Sequence, residues 1–201
     1  MKKLESNFKN MLLVLLVTAV ISALALSMTY NATKEAIEIA KGAKLKNAIS
    51  MVIPGFDELK EDDIKDDSGN EIKIFECFKD GKLIGIAIES YSSLGFSGNI
   101  DLMVGFLPDG TITKTVIIAH AETPGLGDKM EAAKSDFPKQ FWDKNIASLQ
   151  TNGRISVKKD GGKIDAITAA TITSRAFCDA IDRAWNTYQS NNNKNMEEIE
   201  K

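Results

Sequence analysis

The sequence predicts an α+β fold: a single N-terminal transmembrane helix followed by an extracytoplasmic domain in which antiparallel hairpins are covered by helices. Three features carry that expectation. Residues 11–28, MLLVLLVTAVISALALSM, hold no charge. Between residues 72 and 120, runs of alternating apolar residues fold about tight turns. A long amphipathic pattern then occupies the C-terminal part of the chain, from residue 171.

Composition narrows the function classes. Of the 201 residues, 43% are hydrophobic and 26% charged, which describes a globular chain. Net charge is −3 with both signs interspersed, so the basic footprint of a nucleic-acid binder is missing and no nucleic-acid partner is expected. His120 is the sole histidine. A zinc centre or a histidine-dependent hydrolase triad is therefore not expected, and no metal site is assigned. Cys77 and Cys178 form no CxxC. Two buried free thiols are favoured over a disulfide between them.

Taken in chain order, residues 1–10, MKKLESNFKN, carry Lys2, Lys3 and Lys9 against Glu5. The positive-inside rule predicts a cytoplasmic N-terminus there, a transmembrane helix over 11–30 and an extracytoplasmic remainder. About 20 apolar residues at about 1.5 Å each span a hydrocarbon core. The Ala23-Leu24-Ala25 triplet offers a signal-peptidase pattern, but it lies inside the apolar run, so a retained anchor is expected. Residues 31–57 read as a juxtamembrane helix ending at Pro54-Gly55, with Ala32, Ala36, Ile39, Ala40, Ala43, Ala48 and Val52 on the stripe that docks on the following domain. ELKEDDIKDDSGNE, residues 58–71, is acidic and turn-rich and reads as a solvated loop.

Residues 72–190 form the predicted domain. IKIFECFK and LIGIAIES pair about Asp80-Gly81, with Ile84, Ile86 and Ile88 on one face. NIDLMVGFL and TITKTVIIAH pair about Pro108-Asp109-Gly110, with Ile100, Leu102, Val104 and Phe106 alternating. A mixed helical and loop region follows to residue 145, then a short strand, RISVKK, and the turn Asp160-Gly161-Gly162. The last helix gathers Ala176, Phe177, Ala180, Ile181, Ala184, Trp185 and Tyr188 on one face, with Arg175, Asp179, Asp182 and Arg183 opposite. Residues 191–201 read as a flexible tail.

Two segments carry chemistry. In DAITAATITSRA, residues 165–176, hydroxyls crowd the entrance of that last helix. Thr171 stands where free N–H groups and the helix dipole favour an anion such as a phosphate, and Ala169 and Ala170 leave room for a bulky group. Plain N-capping by threonine explains the same residues. In AETPGLG, residues 121–127, proline stiffens the backbone and two glycines allow close approach to a flat ligand. An ordinary surface turn is the alternative there.

Together the two segments resemble the FMN-binding domain of the G subunit of the Rnf ion-translocating oxidoreductase, which is similar to the C subunit of the sodium-pumping NADH:quinone reductase. Asp165, Thr168, Ala170 and Thr171 match the motif Asp-x-x-Ser/Thr-x-Ala-Thr/Ser. HAETPGLGD, residues 120–128, matches the family's ETPGLG segment, and Gly95-Phe96-Ser97-Gly98 its Gly-aromatic-x-Gly loop. Alanine at 169, where relatives often have glycine, is a departure.

The resemblance implies an FMN-binding domain with FMN attached through its phosphate to Thr171. A flavin transferase would read Asp165, Thr168 and Ala170. It implies flavin contacts from Gly98, Glu122, Thr123, Gly125, Leu126, Gly127, Ile172 and Thr173. The implied function is electron carriage beside other membrane subunits, in a complex moving electrons between reduced ferredoxin and NAD while transporting Na+ or H+. No catalytic residue of the chain's own is implied. Two rival readings are a free-standing membrane-tethered flavoprotein, and a non-redox binding domain in which Thr171 is only a cap.

Overall fold

The structure, a computed structural model, describes residues 7–66 and 69–199, the side chains as far as residue 193. Residues 1–6 of the expected cytoplasmic N-terminus, 67–68 of the expected acidic loop and 200–201 of the expected tail lie outside the described residues. The chain divides into two compact units, Met1–Lys44 and Leu45–Lys201.

Most of helix α1 (Phe8–Val52) belongs to the first unit. Its residues 11–28 present apolar side chains outward, among them Leu12, Leu15, Leu16, Ile21 and Leu24. The hydroxyls of Thr18, Thr29 and Thr33 bond to carbonyls one turn back, which satisfies them without water. Among the described residues this is the one helix long and apolar enough to cross a membrane.

In the second unit, β1 (Glu58–Lys65), β2 (Glu71–Lys79), β3 (Lys82–Ser92), β4 (Ile100–Phe106), β5 (Thr111–His120) and β6 (Lys144–Asn145) form an antiparallel sheet in sequential order. Both expected hairpins are present, as β2–β3 and β4–β5. One face packs on α3 (Thr171–Ile199) and the turns before it. Ile74, Ile86, Ile88, Leu102, Val104 and Phe106 meet Phe177, Ile181 and Ala184 there. Phe137, Phe141 and Phe177 interlock with centroids 5.2 to 5.8 Å apart. The other face, with Phe75, Cys77, Ala87 and Met103, is covered by Ala48, Ile49, Val52 and Ile53. Cys77 and Cys178 are free and buried, in clusters on opposite faces of the sheet.

Several expectations change. The segment 58–71 does not begin as a solvated loop: its first eight residues are strand β1, paired along its length with β2. Only Ile64 of this strand is buried, so backbone pairing and cross-strand pairs such as Glu61–Lys73 at 2.7 Å hold it without apolar alternation. The stripe on α1 buries only from Ala48 onward, and Ala32 through Ala43 are exposed. A register shift at Cys77/Phe78 leaves Ile84 without a partner between Leu83 and Gly85. Ile84 therefore joins the cluster opposite to Ile86 and Ile88. RISVKK contributes only β8 (Arg154–Ile155), which pairs with β7 (Gln150–Thr151). A single turn of helix, α2 (Ile146–Leu149), precedes them. The expected tail continues α3 to Ile199.

The polar face of α3 is engaged as well. Asp182 accepts from the Ile155 amide, and Arg183 pairs with Asp66 beneath the Tyr91 ring, 4.6 Å from its centroid. Ser90 Oγ donates to the Ala180 carbonyl and Ser92 Oγ to Asp179, each at 2.7 Å, which fixes the helix over β3. The register aligns Ser92, Ile100 and His120 in one row. The loops that follow Ser92 and His120 therefore leave the same end of the sheet, where α3 begins.

Candidate functional site

The approach to α3 is shaped by local hydrogen bonds. Val157 and Ile164 form a parallel bridge, and the Gln140 side chain clamps the backbone of Asp165, accepting from its N–H at 2.9 Å and donating to its carbonyl at 3.0 Å. Ser174 Oγ accepts from the Ile167 amide and donates to the Ala170 carbonyl, both at 2.9 Å, folding the small residues back onto the first turn. Ala169 adopts φ 61° within that fold. A left-handed backbone is cheapest for glycine; alanine accepts it at a cost of about 1 kcal/mol.

Thr171 opens the helix on the wall of a cavity of about 320 Å³. Three segments line it: Phe96 from the β3–β4 loop; Glu122, Thr123, Leu126 and Gly127 after β5; and residues 169–173 at the helix entrance. Small-molecule sites run from about 300 to 1,000 Å³ and are largely apolar with a few convergent polar groups. Phe96, Leu126 and Ile172 are exposed at this cavity and offer apolar surface to a flat ring.

Glu122 ties the segments together. It is 4% exposed, and its Oε1 accepts from the Ser97 amide at 3.0 Å while its Oε2 accepts from Thr173 Oγ1. A Cβ on Gly127 would fall 2.6 Å from Glu122 Oε2 and 2.9 Å from Thr173 Oγ1, so the position has room only for glycine. His120 orders the same strand end. Its Nδ1 accepts from the Glu122 amide at 3.0 Å, which leaves Nε2 to donate to Glu131 Oε1 at 2.8 Å. His120 and then Lys134 hold the Glu131 carboxyl below its usual range. The Gly125 amide, followed by Lys134, does the same for the largely buried Asp128.

The entrance of α3 is exposed at some of its motif positions and closed at others. Asp165 and Thr168 face solvent, whereas Thr173 and Ser174 are buried with their hydroxyls already bonded. Thr171 is half-buried, and its Oγ1 caps no backbone amide among the described residues; it accepts from Lys159 Nζ at 3.3 Å. Of the expected flavin contacts, Glu122, Thr123, Leu126, Gly127, Ile172 and Thr173 line the cavity together with Ala170 and Thr171. Gly98 and Gly125 do not; they take positive φ within the lining loops. Phe96 and Ala169 line the cavity without having been assigned to it from sequence, and Lys159, Gln140 and the His120–Glu131 pair are further additions. Phe96 is signalled by its place between Gly95 and Gly98, Ala169 by its place in the motif and His120 by its place before ETPGLG; Lys159, Gln140 and Glu131 carry no local signal.

A phosphate-bearing flat ligand fits these residues: apolar walls, a glycine-lined approach and a helix N-terminus on one side. Residues 95–186 match the FMN-binding domain family, the class to which this cavity and its motif point. Over 176 residues the chain is 36% identical to the G subunit of the ion-translocating oxidoreductase complex of Erwinia tasmaniensis, covering 83% of this chain and 79% of that relative. The G subunit of Pseudoalteromonas atlantica is 32% identical over 188 residues, 89% of this chain and 87% of its own. That of Shewanella amazonensis is 34% identical over 176 residues, 82% and 80% respectively. The chain belongs to the family of G subunits of the ion-translocating oxidoreductase complex.

Proposed function

We propose that this protein is a membrane-anchored electron-transfer subunit of an ion-translocating oxidoreductase complex, carrying FMN as a phosphoester on Thr171. The observation that carries the reading is the position of Thr171. It is the last residue of the matched motif, the first of α3 and part of the cavity wall. FMN supplies reversible electron uptake and release; the protein's part is to bind, orient and insulate it. Glu122, Thr123, Gly127 and Thr173 shape the polar side of the ring pocket, and Phe96, Leu126 and Ile172 the apolar side. The amides of the first turn of α3 favour the attached anion by roughly 0.3–1 kcal/mol.

Maturation requires a flavin transferase that reads Asp165, Thr168 and Ala170, all within six residues of the acceptor. The exposure of Asp165 and Thr168 supports such reading. Other membrane subunits of the complex are the electron partners, in a relay between ferredoxin and NAD that drives Na+ or H+ transport. The chain acts as one part of that translocase.

The test is peptide mass spectrometry of the full chain co-expressed with a flavin transferase. The tryptic peptide containing Thr171 is expected to gain the mass of FMN less one water. Thr171→Ala abolishes the label and Asp165→Ala loses it through recognition. Thr173→Ala keeps it, because that hydroxyl faces Glu122 rather than a transferase. A label on Thr173 or Ser174, with Thr171→Ala still fluorescent, overturns the assignment.

A further inference from the structure

One ammonium group already meets the proposed acceptor. Lys159 lies in the 3-10 turn Lys158–Asp160, and both its neighbours in that turn are pinned. Lys158 Nζ holds Asp165 Oδ1 at 2.7 Å. Asp160 takes a two-pronged contact from Arg175 Nε and Nη2, both at 2.7 Å. Arg175 is one turn inside α3, so this pair fastens the lysine turn to the helix that Thr171 begins. Lys158 and Arg175 each hydrogen-bond to a carboxylate, whereas Lys159, which acts on Asp160 only through its charge, has the neutral Oγ1 of Thr171 as its hydrogen-bond partner.

We propose that Lys159 is a positioning residue for the flavin phosphate, its ammonium serving as counter-ion to the anion carried at Thr171. The inference rests on the reading of this cavity as an FMN site. A cation held against a hydroxyl gains little, but against a phosphate oxygen the same contact becomes charge-assisted. The amides at the helix start supply dipoles, and Lys159 adds a full charge on a turn anchored by its neighbours. Lys159 therefore selects the phosphorylated flavin over its neutral counterpart.

The test uses the full chain carrying Thr171→Ala, which cannot form the ester, titrated with FMN and with riboflavin by flavin fluorescence. FMN is expected to bind more tightly than riboflavin. Adding Lys159→Ala weakens FMN by about three- to ten-fold and leaves riboflavin within about two-fold. Lys159→Arg keeps most of the preference. Lys163→Ala removes the same net charge from an exposed lysine on the same approach that bonds the Ser148 carbonyl away from the cavity, and leaves the preference intact. An FMN preference absent from the Thr171→Ala parent, unmoved by Lys159→Ala, or lost equally with Lys163→Ala, overturns the proposal. The ester is judged separately by the intact mass of the wild-type chain co-expressed with a flavin transferase. An unlabelled wild type with a Lys159-dependent preference removes the ester and leaves the role of Lys159; a labelled one without the preference does the reverse.

Discussion

Asp182 shows how one residue of α3 serves stability and titration at once. Burial pushes its carboxyl up to about 6, although the Ile155 amide donates to both oxygens and pulls the other way. In the unfolded chain the group returns to the ordinary aspartate value near 3.8. Between those values the folded protein keeps a proton that the unfolded chain releases. The stability this adds is fully present below about pH 4 and is lost as pH rises through about 6. Asp182→Asn keeps an acceptor for the Ile155 amide and removes the titration. The variant is expected to exceed wild type by about 1–2 kcal/mol at neutral pH, allowing for partial exposure, with the gap closing towards pH 4. Thermal melts across that range check it, and a gap independent of pH counts against the assignment. Burial also holds Cys178 protonated, pushed up to about 12, which keeps this thiol inert beside the same helix face.

At the scale of elements, what could be read from sequence was what is local in it. The β2–β3 and β4–β5 hairpins declare themselves by tight turns and alternation. The flavin motif and the ETPGLG segment are each contiguous. Strand β1 stayed hidden because an edge strand with one buried residue has no apolar period to detect. Lys159 and Gln140 were hidden because they reach the motif across a fold, and the Ile84 bulge because it shifts register without altering composition. The end of α1 makes a further point about elements: Ile49, Val52 and Ile53 are the cover of one sheet face. Each buried side chain of this kind contributes about 1.5–3 kcal/mol, and together they rival the 5–15 kcal/mol net stability of an ordinary domain. A chain starting at Leu45 is expected to fold with cooperative unfolding, whereas one starting at Glu58 exposes Phe75 and Met103 and aggregates or unfolds. Equal melts for the two would show that the helix end is dispensable.

For the whole molecule, the question that bears most on function is which side of the membrane holds the flavin. The lysines of MKKLESNFKN argue that residues 31–201 face away from the cytoplasm. An alkaline phosphatase fused after Ser190 is expected to be active and a cytosol-only reporter at the same point silent; the reverse pattern inverts the topology. The open sheet raises a separate hazard, because unpaired strand edges are templates for pairing with another chain. The β1 edge here is defended, lined with Glu58, Lys60, Glu61, Asp62, Asp63 and Lys65. The charges that made this stretch look like a loop make strand addition by a second chain unfavourable. The acidic run thereby guards a membrane-tethered protein, which cannot dilute itself away from its neighbours, against self-association into extended sheets.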